Sequence, residues 1–230
     1  MNRSTFLGST AIGATTLATP PGGFPFVERH ADFDEAGFTK IVGRPADYHL
    51  LWEAVALAPS FLNNVKNAIN GLQFGFDADP AQIVSVVAGH GPSSVYTYSD
   101  YVWQKYRIGE YFGIKDPATN DAMISNTFLK KRATSSATAS SPDDPSGFFQ
   151  DTAIETLQAR GVTFLTCHTA VEEQARGLVS RGFAPVGTDP LSVAADILTH
   201  LIPGATVVPS MVATIAVIQL RYRYAYLNVA

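Results

Sequence analysis

The chain has 230 residues, 46% of them hydrophobic and 16% charged, with a formal net charge of −4. That supplies one sizeable core, and a mildly acidic chain without a lysine/arginine block argues against nucleic acid, whose phosphates need a concentrated basic face. Its one cysteine, Cys167, rules out an intramolecular disulfide.

Residues 1–22 have the layout of an export signal: Arg3, a mildly apolar stretch from Phe6 to Ala18, then a break at PPGG. "NRSTFLG" resembles the twin-arginine type of signal, with Ser4 where the second arginine belongs. The expectation is an exported, periplasmic protein with no membrane attachment after signal removal. A disordered tail on a cytoplasmic protein is the alternative. Residues 23–44 read as an N-terminal extension, and 45–230 as a single domain.

Within that domain, "DYHLLWEAV" (47–55) predicts a first strand. "SFLNNVKNAINGLQ" (60–73) predicts a helix capped by Ser60, with Phe61, Val65, Ala68, Ile69 and Leu72 along one stripe. The β-branched run "QIVSVVAGHG" (82–91) suits a strand buried on both faces. Residues 99–147 read as an insertion. Its aromatic half, "YSDYVWQKYRIGEYFGIKD", is partly helical and a candidate lid or oligomer contact, and "KKRATSSATASSPDDPSG" is a polar, mobile loop.

After the insertion, "DTAIETLQARG" predicts a helix with a glycine stop and "VTFLTC" a strand. Asp189-Pro190 opens the helix "LSVAADILTHLI", which Pro203-Gly204 ends. "ATVV" is a short strand, Pro209-Ser210 a turn and cap, "MVATIAVIQL" a helix, and "YRYAYLNV" a last strand with period-two aromatics. Five strands alternating with helices give an α/β three-layer sandwich around a mainly parallel sheet.

Cys167 falls where an apolar strand gives way to a helix. Thr169 and Glu172 have the spacing of a capping box, which predicts a helix starting at Ala170, buried through Ala170, Ala175, Leu178 and Val179 and stopped by Gly182. Cys167 then sits two residues ahead of a positive helix end that favours a thiolate, with His168 beside it as a second positive influence or proton relay. Its place at a strand's carboxyl end predicts exposure in the crevice where open α/β sheets bind ligands. Free cysteine is also a common space-filling core residue, and spacing leaves both readings open. His90, Gly91 and Pro92 close another strand, and Pro209 and Ser210 a third; in a parallel sheet all these ends share one edge. His30, His49 and His200 show no such convergence and read as surface or satisfied core residues.

Four blocks in order, "LNNVKNAIN", "VVAGHGP", "GVTFLTCHT" and "ATVVPSMVATIAVIQLRYRYAYL", resemble the DsrE/DsrF-like proteins, often described as intracellular sulfur oxidation or sulfur-relay proteins. The resemblance spans most of 45–228 apart from the insertion. It implies a flavodoxin-like sheet, assembly into trimers or hexamers, and a cysteine that carries a persulfide in sulfur-transferring members. Cys167 matches the family's cysteine, Thr169 the cap after it, and His90-Gly91-Pro92 the turn facing it. Met211 stands where relatives tend to have glycine after the Pro-Ser turn, so it would shape the pocket beside Ser210; Arg223 stands where a glycine precedes the final "YAY".

These residues predict a sulfur carrier or sulfurtransferase-like protein. Cys167 takes sulfane sulfur from a donor and passes it to an acceptor protein or small thiol, His168 steadies the anion, and His90 orients the donor. No metal or organic cofactor follows, since the sequence has no phosphate loop, dinucleotide fingerprint or serine elbow. The alternative is a homo-oligomeric small-molecule or partner-binding protein whose cysteine is inert.

Overall fold

The computed structural model describes residues 33–130 and 141–228; the expected export signal, His30 and most of the serine-rich loop lie outside them. The chain runs α1 (Glu35–Val42), β1 (Tyr48–Ala54), α2 (Pro59–Asn70), β2 (Ile83–Gly89), α3 (Asp100–Lys105), α4 (Ile108–Phe112), α5 (Ile154–Ala159), β3 (Val162–Cys167), α6 (His168–Ser180), α7 (Pro190–Thr199), β4 (Thr206–Val208), α8 (Met211–Tyr222) and β5 (Ala225–Asn228). The five strands form one sheet in the order β4-β3-β2-β1-β5, parallel at every pairing.

Burial follows the two-residue period of the strands. On one face, Leu50, Trp52, Ala54, Ile83, Val87, Val162 and Phe164 pack with α2 and α5. Leu51, Val84, Val86, Ala88, Leu165, Cys167 and Val208 pack on the other, with α1 and α8. All seven residues of β2 are buried, as its continuous apolar run predicts. A three-layer, flavodoxin-like sandwich results.

β1 to β4 step across the sheet in one direction, and the chain then returns over three strands to place β5 beside β1. Ile202, between α7 and β4, packs with the first face, whereas α8, between β4 and β5, covers the second. The carboxyl ends of β3 and β4 are therefore the point where neighbouring strands send the chain to opposite faces, the usual ligand position in such sheets.

Several boundaries differ from the sequence expectation. Pro59 starts α2 one residue early, behind Ala58, so Ser60 is not the cap, and a π-helical turn over Gly71–Gly75 continues it. α7 stops at Thr199 because the next residues turn back to the stretch just ahead of the insertion: Ile202 N–H donates to Thr97 O (2.8 Å) and Leu201 bridges Tyr98. α1 was not predicted; Asp34 caps it by accepting from Gly37 N–H (2.8 Å). Arg223 ends α8 in the left-handed region (φ 59°), a conformation that glycine adopts without strain.

The described part of the insertion packs as a wall on α6 and α7. Tyr98, Trp103, Tyr106 and Ile108 are almost fully buried against Val171, Ala175 and Leu178 of α6 and Val193 and Ile197 of α7. Asp196 of α7 accepts from Tyr106 Oη (2.7 Å) and Lys105 Nζ (3.0 Å). Asn126 is the polar keystone. Its amide donates to Tyr96 O (3.0 Å) and Tyr98 O (2.7 Å), its Oδ1 accepts from Phe128 N–H, and Phe128 O then accepts from Ile154 N–H at the start of α5. Asn126→Ala leaves buried carbonyls without donors, so urea unfolding should show a loss of about 2 kcal/mol and faster proteolysis within the insertion.

Candidate functional site

Cys167 closes β3, where it pairs with Val208 of β4. Its Sγ accepts two backbone N–H groups, Ala170 (3.4 Å) in the first turn of α6 and Met211 (3.3 Å) at the start of α8. The capping-box expectation is corrected by this contact. Cys167 is itself the N-cap and α6 starts at His168. Thr169 instead turns to the neighbouring loop, its N–H (3.4 Å) and Oγ1 (3.0 Å) both donating to Pro209 O. Two helix N-termini thus meet at one sulfur, and a side-chain clasp joins the loops that carry them.

The expected exposure of Cys167 is not found: the residue is 4% exposed and belongs to the apolar cluster under α8. The cause is geometric. Because β4 exits directly into α8, the first residue of that helix, Met211, is pressed against the sulfur and is itself 1% exposed. Ser210 precedes α8 without capping it; with Pro209, Phe33, Phe38 and Thr214 it lines a hollow of about 200 Å³.

His168 lies half-buried at the start of α6, with Nδ1 3.8 Å from Glu172 Oε1 one turn on. Glu172 is 3% exposed and its Oε2 is buried without a hydrogen bond. Burial pushes its carboxyl above the usual range, with Glu173 adding to the rise and Arg176 opposing it.

The His90-Gly91-Pro92 turn reaches this junction through Gly91, which holds a positive φ (58°) and whose carbonyl accepts the Gln174 side-chain amide of α6. Gln174 Oε1 in turn accepts from Tyr98 Oη (2.6 Å). Burial drives the Tyr98 phenol far up, and the nearby Cys167 and Tyr111 add to it. Pro92 opens the 3₁₀ turn Gly91–Thr97 that leads into the insertion.

His90 faces elsewhere. Its Nε2 lies 2.9 Å from Glu53 Oε1, and the other oxygen of Glu53 accepts from Tyr226 Oη and Asn228 Nδ2 of β5. Burial alone would raise the Glu53 carboxyl, but hydrogen bonds from Tyr226, His90 and Asn228 and the charge of His90 outweigh it and leave it below the usual range. Sequence reasoning named His90 and missed its partner Glu53 and the two groups, Tyr226 and Asn228, that share that carboxylate. The available signal was Glu53 itself, the lone acid in an otherwise apolar strand, while Tyr226 and Asn228 are joined to it only by the pairing of β1 with β5.

Cys167, His168, Thr169, Ser210 and Met211 therefore share one junction, Gly91 is tied to it, and His90 belongs to a neighbouring polar group. His49 and His200 are satisfied locally, on Arg44 O (3.0 Å) and Asp196 O (2.8 Å). Among the described residues, no group of three His, Cys, Asp or Glu is placed to hold a metal ion, and no helix is long and apolar enough to cross a membrane. No family model, curated protein or solved structure matches the chain.

A carboxyl with a raised folded-state pKa contributes most below its unfolded value, 4.5, and loses that contribution as pH rises through the folded one. Glu172→Gln removes the dependence. Its melting temperature should exceed that of the parent at pH 8, with the gap closing toward pH 4; an equal gap at both pH values would show that Glu172 is not held in this way.

Proposed function

We propose that the protein is a sulfur carrier, sulfurtransferase-like, that holds sulfane sulfur as a persulfide on Cys167. The observation that carries this reading is the convergence of the Ala170 and Met211 N–H groups on Sγ, at the positive ends of helices of thirteen and twelve residues. Fixed donors of this kind stabilise a negative sulfur. The thiolate attacks the terminal sulfur of a polysulfide, a sulfur–sulfur bond of the donor breaks, and the shortened polysulfide leaves with the electron pair. The charge then rests on the outer sulfur of the persulfide until an acceptor thiolate attacks it and Cys167 departs as thiolate. The resemblance of the "GVTFLTCHT" block and its companions to DsrE/DsrF-like proteins supports the same reading. It also supports assembly into a trimer or hexamer, for which the outer side of α8, with Val212 67% and Leu220 82% exposed, offers an apolar face. The export-like leader supports a periplasmic location.

The 4% exposure of Cys167 favours a second reading. In it the sulfur is an inert pin between α6 and α8, and the protein binds a small molecule at the carboxyl edge through Glu53, His90, Tyr226 and Asn228. Intact mass after incubation with polysulfide separates the two. A gain of one sulfur atom, reversed by dithiothreitol and lost in Cys167→Ser, is expected for the carrier. No gain from polysulfide or thiosulfate, in protein whose thiol is confirmed as reduced, overturns it and leaves the binding reading.

A further inference from the structure

The opposite edge of the sheet holds two cations, Lys66 and Arg160, whose hydrogen-bond acceptors among the described residues are neutral. Lys66, on the inner side of α2, is 5% exposed, and its ammonium group meets a single acceptor, Gln150 Oε1, at 2.6 Å. Arg160, just past α5, donates through Nη2 to Asn70 Oδ1 (2.7 Å) and through Nη1 to Phe149 O (3.5 Å), and its guanidinium lies 5.4 Å from the centre of the Phe149 ring. Every one of these acceptors is neutral. Asp151, one residue past Gln150, gives its oxygens to Ala153 N–H (3.0 Å) and Thr156 Oγ1 (2.8 Å). Among the described residues neither cation forms an ion pair with a carboxylate. Arg160 is partly exposed, but Lys66 is buried, and a buried charge is ordinarily paired because an ion removed from water costs several kcal/mol that only an opposite charge and good hydrogen bonds recover.

Beside these cations is a hollow of about 200 Å³, lined by Arg160 together with Ile69, Gln73, Ile83, Phe148 and Phe149. It opens where α2 ends, β2 begins and α5 hands over to β3, far along the strands from Cys167. Its wall is apolar and aromatic: the Phe148 and Phe149 rings pack edge to face 5.5 Å apart, and Phe74 packs on the other side of Phe149 at 4.9 Å. One guanidinium in an apolar wall fits a ligand with a single anionic group and an apolar body.

We propose that this hollow binds a small organic acid, an aromatic or branched aliphatic carboxylate, whose carboxylate pairs with Arg160 while Lys66 supplies a second positive charge from behind. Arginine's planar fork has donors left for a carboxylate after its bonds to Asn70 and Phe149. The electrostatics agree: burial, then the charge of Arg160, lowers the Lys66 ammonium below its usual range, and burial lowers Arg160 as well. An anion placed here relieves both. This site is independent of any sulfur chemistry at Cys167.

Benzoate is the probe. Thermal unfolding of the full chain should show a saturable rise in melting temperature with sodium benzoate over sodium chloride of equal ionic strength. Two variants report from different directions. Arg160→Gln removes the charge and should weaken benzoate at least roughly tenfold. Ala159→Trp, at an exposed position on the rim, should block the hollow while leaving both cations in place. A benzoate effect no larger than that of chloride, or one that survives in both variants, overturns the site. A rise reproduced in full by inorganic phosphate overturns the assignment to organic acids.

Discussion

A parallel sheet sends every strand's carboxyl end to the same edge, and one reversal of winding decides where along that edge the chain parts. Here the reversal falls between β3 and β4, and the contact that holds it is the pair of N–H groups from α6 and α8 on the Cys167 sulfur. Both helices begin without a polar side-chain cap of the usual kind. The sulfur stands in for one, accepting from two helices at once, while Thr169 ties their loops through Pro209. The same arrangement positions whatever chemistry the sulfur performs and removes it from bulk water.

Polar groups elsewhere are placed to hold large pieces together, not to decorate them. Asn126 ties the insertion to the 96–98 stretch, Gln174 joins α6 to the Gly91 turn, and Asp196 joins α7 to Tyr106 just past α3. The Gln174 and Asp196 bonds cross 83 and 90 residues of sequence, so they join parts of the chain that are far apart until it folds. The two cations at the amino-terminal edge are the exception, with neutral hydrogen-bond partners among the described residues.

Strands were the most legible part of the sequence. β3 runs over the six residues that its apolar run marks, and β2 is buried throughout because nothing in "IVSVVAG" needs water. Periodicity failed where a tertiary partner overruled a local signal. Thr169 and Glu172 have capping-box spacing, but Pro209 O takes the threonine and burial takes the glutamate, leaving Cys167 as the cap. α7 loses its last predicted turn because Leu201 and Ile202 pair with Tyr98 and Thr97, just ahead of the insertion. Arg223 ends α8 in the left-handed region although its own side chain gives no signal of that conformation. The Glu53 group was hidden for a simpler reason: no spacing rule connects residues 53, 90, 226 and 228 until β5 is laid beside β1.

That last pairing bears on synthesis. Leu50 is matched to Ala225 in the finished sheet, so the outer edge of β1 has no neighbour until β5 has been synthesised. Nascent domains fold from the amino terminus onward and expose unpaired strand edges while they wait. During that interval β1 to β4 can assemble, but the return helix α8 and its strand arrive later. The cysteine junction and the tyrosine-capped glutamate therefore wait for α8 and β5, and removal of 225–228 moves the sheet's edge back to the long, apolar β1.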